Sequence, residues 1–249
     1  MTSCAQISKY FSDAAGFYDA RARIQRALAV ELAGKVRVRP GDTVADIGTG
    51  TGRLLEALRQ RYPDAVYVGV DASEGMLLRG EGSRVRADHG RLPFKRESLD
   101  ILVSSSCYHW STDLPAAFRS AAAVLKPGGK FEAVLFGRDT LGELFRALAA
   151  ASSGLSARID TMPRLPSLED VCAAIATAGF TGFDFEREYR REDFGSIKEV
   201  LLWLRETGTS GLGRGMFIGR DVLKRAESYY LKNFNGQVSF EVIWLQAQK

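Results

Sequence analysis

The chain is poor in the residues that most often bind metals or form cross-links: three cysteines and two histidines in 249 residues. Cys4, Cys107 and Cys172 lie far apart and are odd in number, which argues against a disulfide framework and against a zinc site. A reducing cytoplasm is the natural expectation, and no metal is expected. Long apolar runs are missing too. Nothing approaches the roughly 20 apolar residues of a membrane helix. The longest weakly charged run, Val171 to Phe183, is short and is broken by Gly179 and Gly182. The N-terminus lacks a basic start followed by an apolar core, so no secretory signal is expected. There is no repeat, no low-complexity linker and no block of like charges. The net charge of +4 is a mild bias toward acidic partners, such as an acidic carrier protein or nucleic acid, and does not choose between them.

With 45% hydrophobic and 26% charged residues, the composition allows a sizeable core. Residues 5–34 read as two helices with a break near Gly16–Asp19. Strand patterns follow at Thr43–Ile47, Val66–Val70, Arg84–Ala87, Leu99–Ser104 and Lys130–Phe136, each bounded by Gly, Pro, Asp or Ser. Helical patterns at Gly52–Arg61, Ser73–Gly80 and Asp113–Leu125 lie between them. This alternation predicts an α/β fold, a parallel sheet with helices on both faces. Beyond Phe136 the pattern changes. Helices are expected over Thr140–Ala151, from a Ser167 cap to Ala178, and over 196–207 and 219–233. Thr181–Tyr189 and Gln237–Gln246 alternate as strands. A last strand so late in the chain, reached through a helical excursion, predicts an antiparallel sheet edge.

The most informative motif is Val44-Ala-Asp-Ile-Gly-Thr-Gly-Thr-Gly52, a strand running into a glycine turn and a helix. Gly48, Gly50 and Gly52 let the backbone turn sharply and approach a ligand closely. Asp46 precedes the turn. It would repel a pyrophosphate but suits a cofactor with a cationic amino-acid end. Asp71 ends the second strand, where a carboxylate can accept both ribose hydroxyls of an adenosine. Asp88, after the third strand, can accept from an adenine amino group, and Met76 can pack on the adenine face. Each acid alone has an ordinary reading as a helix cap, turn residue or solvated loop acid. Together they indicate an S-adenosylmethionine site. A nicotinamide dehydrogenase would place its third glycine at position 53, which here is arginine. The arrangement resembles the class I S-adenosylmethionine-dependent methyltransferases, which also carry a turn like Leu125-Lys-Pro-Gly-Gly129. That resemblance covers roughly residues 40–137. It implies a Rossmann-like, seven-stranded, mostly parallel sheet with an antiparallel last strand, plus N-terminal helices and a helical insertion.

Segments outside that core carry a closer resemblance. Phe11-Ser-Asp-Ala-Ala-Gly-Phe-Tyr18-Asp with Ile24-Gln25 is similar to the opening of the malonyl-acyl-carrier-protein O-methyltransferases of biotin synthesis. So are Ser104-Ser-Ser-Cys-Tyr-His-Trp110, where that family usually has a Gln-Trp pair, and Phe136-Gly-Arg-Asp-Thr-Leu-Gly-Glu-Leu144. Leu202-Trp-Leu-Arg-Glu-Thr-Gly208, Leu165–Ala178 and Val238–Ala247 fit as well. The departures are His109 for the usual Gln, the Cys107-Tyr108 pair, and a loose match over 152–166.

This resemblance implies methylation of a malonyl carboxylate on acyl carrier protein, with S-adenosylhomocysteine as the other product. A carboxylate is ionised at neutral pH and needs no general base; the reaction then rests on positioning and exclusion of water. Tyr18, Arg138, His109 and Trp110 are the candidates at the acceptor. The candidate cofactor set is Gln25, Asp46, Gly48, Gly50, Gly52, Asp71, Ala72, Met76, Asp88, His89 and Ser104. One methyltransferase domain is expected, with a helical cap at 1–34, a cofactor core at 35–137, a substrate-side region at 138–236 and a last strand at 237–249. A basic rim for the acidic carrier is expected from Arg187, Arg190, Arg191, Arg214, Arg220, Lys224 and Arg225, with a monomer favoured and neither nucleic acid nor membrane as partner. The region after the fourth strand lacks the Asn/Asp-Pro-Pro-aromatic segment of amino-methylating enzymes. Another carboxylic acid or hydroxyl acceptor, or a cofactor-binding partner without turnover, stay open as alternatives.

Overall fold

The computed structural model describes residues 4–152, 165–209 and 219–249. Three helices open the chain, α1 (Cys4–Ala14), α2 (Tyr18–Arg21) and α3 (Arg23–Lys35). Two were expected; the extra one is a single turn between the break at Gly16 and Ala22. There follow β1 (Thr43–Ile47), α4 (Arg53–Arg61), β2 (Val66–Asp71), α5 (Glu74–Leu77), β3 (Arg84–Arg86) and β4 (Leu99–Ser105). A 3-10 turn at Tyr108–Trp110 leads to α6 (Leu114–Val124), capped by the Asp113 carboxylate on the Ala116 amide at 2.9 Å. Next come β5 (Leu125–Phe136), α7 (Gly142–Ser152), α8 (Leu168–Ala176), β6 (Gly182–Asp193), α9 (Ile197–Glu206), α10 (Arg220–Phe234) and β7 (Gln237–Gln248). Among the described residues no helix is long and apolar enough to cross a membrane.

The strands form one seven-stranded sheet in the order β3-β2-β1-β4-β5-β7-β6. β1 pairs in parallel with β2 and β4, β2 with β3, and β4 with β5. β7 runs antiparallel to both β5 and β6. The antiparallel last strand is therefore present, but it is not the edge. β7 is buried at nearly every position from Val238 to Leu245, whereas β6 is exposed or half-exposed throughout. A strand that apolar cannot sit with an open side, so β7 inserts and β6 takes the margin.

Alternate residues of each strand face opposite layers. Val44, Ile101, Val103, Val134 and Phe240 pack against α3, α4, α7, α9 and α10. Ala45, Ile47, Leu102, Ala133 and Ile243 pack against α6 and α8. A ladder of ion pairs ties α3 to β6: Arg23–Glu192 at 3.0 Å, Lys35–Glu186 at 2.9 Å, and Arg190 between Glu31 and Glu188 at 2.6 Å each. The strand order reverses between β1 and β4, and in such sheets ligands bind outside the carboxyl ends of the strands at that point.

Candidate active site

The glycine turn stands at that reversal. Gly48, Gly50 and Gly52 have φ of +73°, +56° and +91°, a region that costs other residues strain. A β-carbon on Gly48 would also run into the Cys107 side chain. The Gly48 and Thr49 amides donate to the Val70 carbonyl at 2.8 and 2.9 Å, which fixes the turn to the end of β2. Asp71 then accepts from the Gly50 amide on one oxygen and the Ser73 amide on the other, both at 2.8 Å. Burial pushes its carboxyl above the usual range, and the backbone amides oppose this.

Three cavities meet around Tyr18, which walls all of them. The first, about 690 Å³, has Gly48, Gly50, Asp71, Ala72, Met76 and His89 on its sheet side. Its roof is one face of α1: Cys4, Ile7, Ser8 and Phe11. Two hydrogen bonds hold that roof down, Ser8 Oγ to the Ala72 carbonyl and Ser12 Oγ with Ser73 Oγ, both 2.8 Å. The second, about 440 Å³, lies on the other side of the glycines and holds Asp46, Thr49 and Gln25. Asp19 closes over it, accepting from Thr51 Oγ1 at 2.7 Å and pairing with Arg53 at 2.8 Å. Asp46 is 1% exposed, and neither carboxylate oxygen has a hydrogen-bond partner among the described residues. Burial above all pushes its carboxyl up to about 7; the neighbouring Thr49 hydroxyl opposes the shift, and the Asp71 charge adds to it.

The third cavity, about 420 Å³, shares Phe11, Tyr18, Ser106 and Trp110 with the first. His109, Gln25, Phe136, Trp203 and Phe240 complete much of its wall. His109 is buried, and its Nδ1 accepts from the Phe136 amide at 3.3 Å. Burial pulls its imidazole down to about 3, with His89 adding to the effect. Burial, with Asp71, Asp19 and Cys107 behind it, pushes the Tyr18 hydroxyl well above the usual phenol range. Trp110 packs edge-on against Phe11 at 5.7 Å and forms part of the partition between the two cavities.

Several expected site residues stand elsewhere. Ser104 faces the interior, donating to the Ile47 carbonyl at 2.7 Å, and the next residues, Ser105 and Ser106, line the first cavity instead. Gly52 is the residue before α4 and does not reach the cavities. Asp88 turns one oxygen back onto the Gly90 amide at 2.7 Å; its neighbours Ala87 and His89 line the cavity and it does not. Arg138 lies outside all three cavities. It lines an open groove that shares Leu165 with the third cavity, and it pairs there with Asp170 at 2.7 Å, both partners exposed. Sequence reasoning missed the α1 roof, although Cys4, Ile7, Ser8 and Phe11 follow the i, i+3, i+4, i+7 spacing of one helix face. Of the basic residues, Arg191, Arg220, Lys224 and Arg225 are exposed. Arg190 is held by Glu31 and Glu188, Arg187 lies 3.7 Å from the buried Glu241, and Arg214 is outside the described residues.

A family model described as a methyltransferase domain matches residues 45–133. The malonyl-acyl-carrier-protein O-methyltransferase of Dechloromonas aromatica is 31% identical over 255 residues, covering 99% of this chain and 95% of the relative. The enzyme of the same name from Geobacter sulfurreducens is 30% identical, covering 93% and 92%. This chain belongs to the malonyl-acyl-carrier-protein O-methyltransferase family. Among solved structures, YcgJ of Bacillus subtilis has a TM-score of 0.63 at 20% identity, covering 89% of this chain and 97% of that one. The Haemonchus contortus phosphoethanolamine N-methyltransferase 2, solved with S-adenosyl-L-methionine, has a TM-score of 0.57 at 20% identity, covering 91% and 52%. These two share the fold. As a member of the family, the chain is an S-adenosylmethionine-dependent methyltransferase.

Proposed function

We propose that the chain methylates the free carboxylate of a malonyl group carried on acyl carrier protein, as a step of biotin synthesis. The observation that carries this reading is the chemistry of the third cavity. Among the described residues its wall has no carboxylate, and its only imidazole, at about 3, is a poor base. A hydroxyl or ammonium acceptor must lose a proton to react, whereas a carboxylate arrives without one. The relatives' shared name and their cover of nearly the whole chain support the same acceptor.

The cofactor fits the other two cavities. The orphaned Asp46 carboxylate and the orphaned Gln25 Oε1 suit a cationic amino-acid end. Asp71 keeps accepting capacity on both oxygens for ribose hydroxyls, and Ala72, Met76 and Ala87 offer an apolar bed for a base beside His89. Bound there, S-adenosylmethionine supplies a methyl group on a positively charged sulfur, so that a C–O bond forms as the C–S bond breaks and neutral S-adenosylhomocysteine remains. Tyr18, Phe11 and Trp110 stand at the junction, where they exclude water and set the approach of the acceptor. The exposed Arg191, Arg220, Lys224 and Arg225 supply the basic rim for the acidic carrier. The test is transfer of labelled methyl to malonyl-carrier protein beside succinyl-carrier protein and free malonate. Transfer to the malonyl form is expected; its absence, with methylation of another acceptor, refutes the assignment and leaves the methyltransferase.

A further inference from the structure

On the function proposed above the third cavity receives an anion, yet its wall has no lysine or arginine among the described residues. Its polar groups are neutral. Accepting the Phe136 amide leaves the His109 Nδ1 without a proton, so the hydrogen sits on Nε2. No other hydrogen bond of His109 occurs among the described residues. Ser106 lines the same cavity with a φ of +58°, a conformation that non-glycine residues rarely hold, and its buried hydroxyl has no partner among the described residues. A strained residue with an orphaned donor between two cavities marks a place where a ligand completes the bonding.

We propose that the acceptor carboxylate is held by two neutral donors, His109 Nε2–H and the Ser106 hydroxyl, and that His109 neither accepts nor delivers a proton during methyl transfer. The proposal rests on the reading above that the acceptor is a carboxylate. A neutral clamp suits the reaction. The carboxylate loses its charge as the ester forms, so a cation would hold the starting anion more tightly than the transition state and slow the step. Neutral donors bind the anion, weaken as the charge disappears, and release an uncharged ester. The imidazole, pulled down to about 3, keeps its tautomer across the working pH range.

The test compares H109F, H109Q, S106A and S106G with wild type, at saturating cofactor, on whichever carboxylate acceptor wild type uses. Losing a hydrogen bond to a charged group costs about 10- to 100-fold in kcat/KM. H109F, with a ring but no donor, is expected to lose that much, mostly through KM, with kcat changed less than about threefold. H109Q, which returns an N–H donor, recovers most of the loss. The ratio of wild type to H109Q stays constant within about twofold from pH 5.5 to 8. S106A and S106G raise KM alike, and S106G is at least as stable as S106A because glycine accepts the positive φ. Melting curves and cofactor affinity separate these effects from misfolding. The proposal is overturned if H109F matches wild type, if H109Q and H109F lose equally, or if the ratio shifts about tenfold per pH unit, the mark of a titrating imidazole. If wild type ignores malonyl-carrier protein but methylates another carboxylate, the assignment of acceptor fails, and the clamp is judged on that acceptor.

Discussion

Changing Asp46 to Asn should make the free protein more stable and the enzyme useless. Asp46 is buried at the end of β1 with both oxygens unpaired, and its carboxyl is pushed up to about 7, against about 3.9 in an unfolded chain. The native state therefore binds the extra proton between those values. Stability is fully present below the unfolded value and is lost as pH rises through 7. The ionised form costs the free protein up to about 4 kcal/mol at high pH, since each pH unit is worth about 1.4 kcal/mol. Asn keeps the shape and removes the charge. D46N is expected to melt several degrees above wild type at pH 8.5, at about 2–4 °C per kcal/mol for a chain of this size, and close to it at pH 4.5. The same variant should bind S-adenosylmethionine at least 10- to 100-fold more weakly, because a hydrogen-bonded charge partner for the amino group is gone. Wild type should release a proton on binding the cofactor at pH 6, read by calorimetry in buffers of different ionisation enthalpy. A D46N protein less stable than wild type at pH 8.5 without ligand, or one that binds the cofactor as tightly, would refute the reasoning.

Other residues give simpler tests. G48A combines a positive φ with a collision against Cys107, so it should lower the melting temperature and abolish the cofactor-induced thermal shift. R138A removes only an exposed pair with Asp170, worth about 0–1 kcal/mol, and should leave methyl transfer within twofold; a large loss of kcat would return Arg138 to the reaction. R220E/K224E/R225E should raise KM for a carrier-bound acceptor and flatten its salt dependence while leaving cofactor affinity unchanged, measured by kinetics between 50 and 300 mM salt.

The five core strands were legible to within a residue or two at most ends, because each is a short apolar run bounded by turn residues. β5 was the exception: it begins at Leu125, and the Lys-Pro-Gly-Gly segment enters the strand through a register shift against β4. The insertion of β7 between β5 and β6 was not legible, since chain order carries no neighbour order; only the density of apolar residues from Val238 to Leu245 hinted at it. Asp46 and Asp71 could be placed on the cavity walls because strand ends point at the sheet's carboxyl edge. Ser104 was misplaced by one residue, which in a strand is a change of face. The pairing of Arg138 with Asp170 in the adjoining groove was not legible, because Asp170 comes from a helix far along the chain and distance in sequence hides such pairs.

The margin of the sheet has a consequence for how the molecule behaves in company. β6 is twelve residues long and, among the described residues, has no strand beyond it, a template on which another chain could add itself. Asp184, Glu186, Arg187, Glu188, Arg190, Arg191, Glu192 and Asp193 make most of that strand charged. A newcomer docking there would have to strip water from both signs of charge at once and break the pairs already made to α3. The ladder that anchors the cap thus also guards the open flank against aggregation.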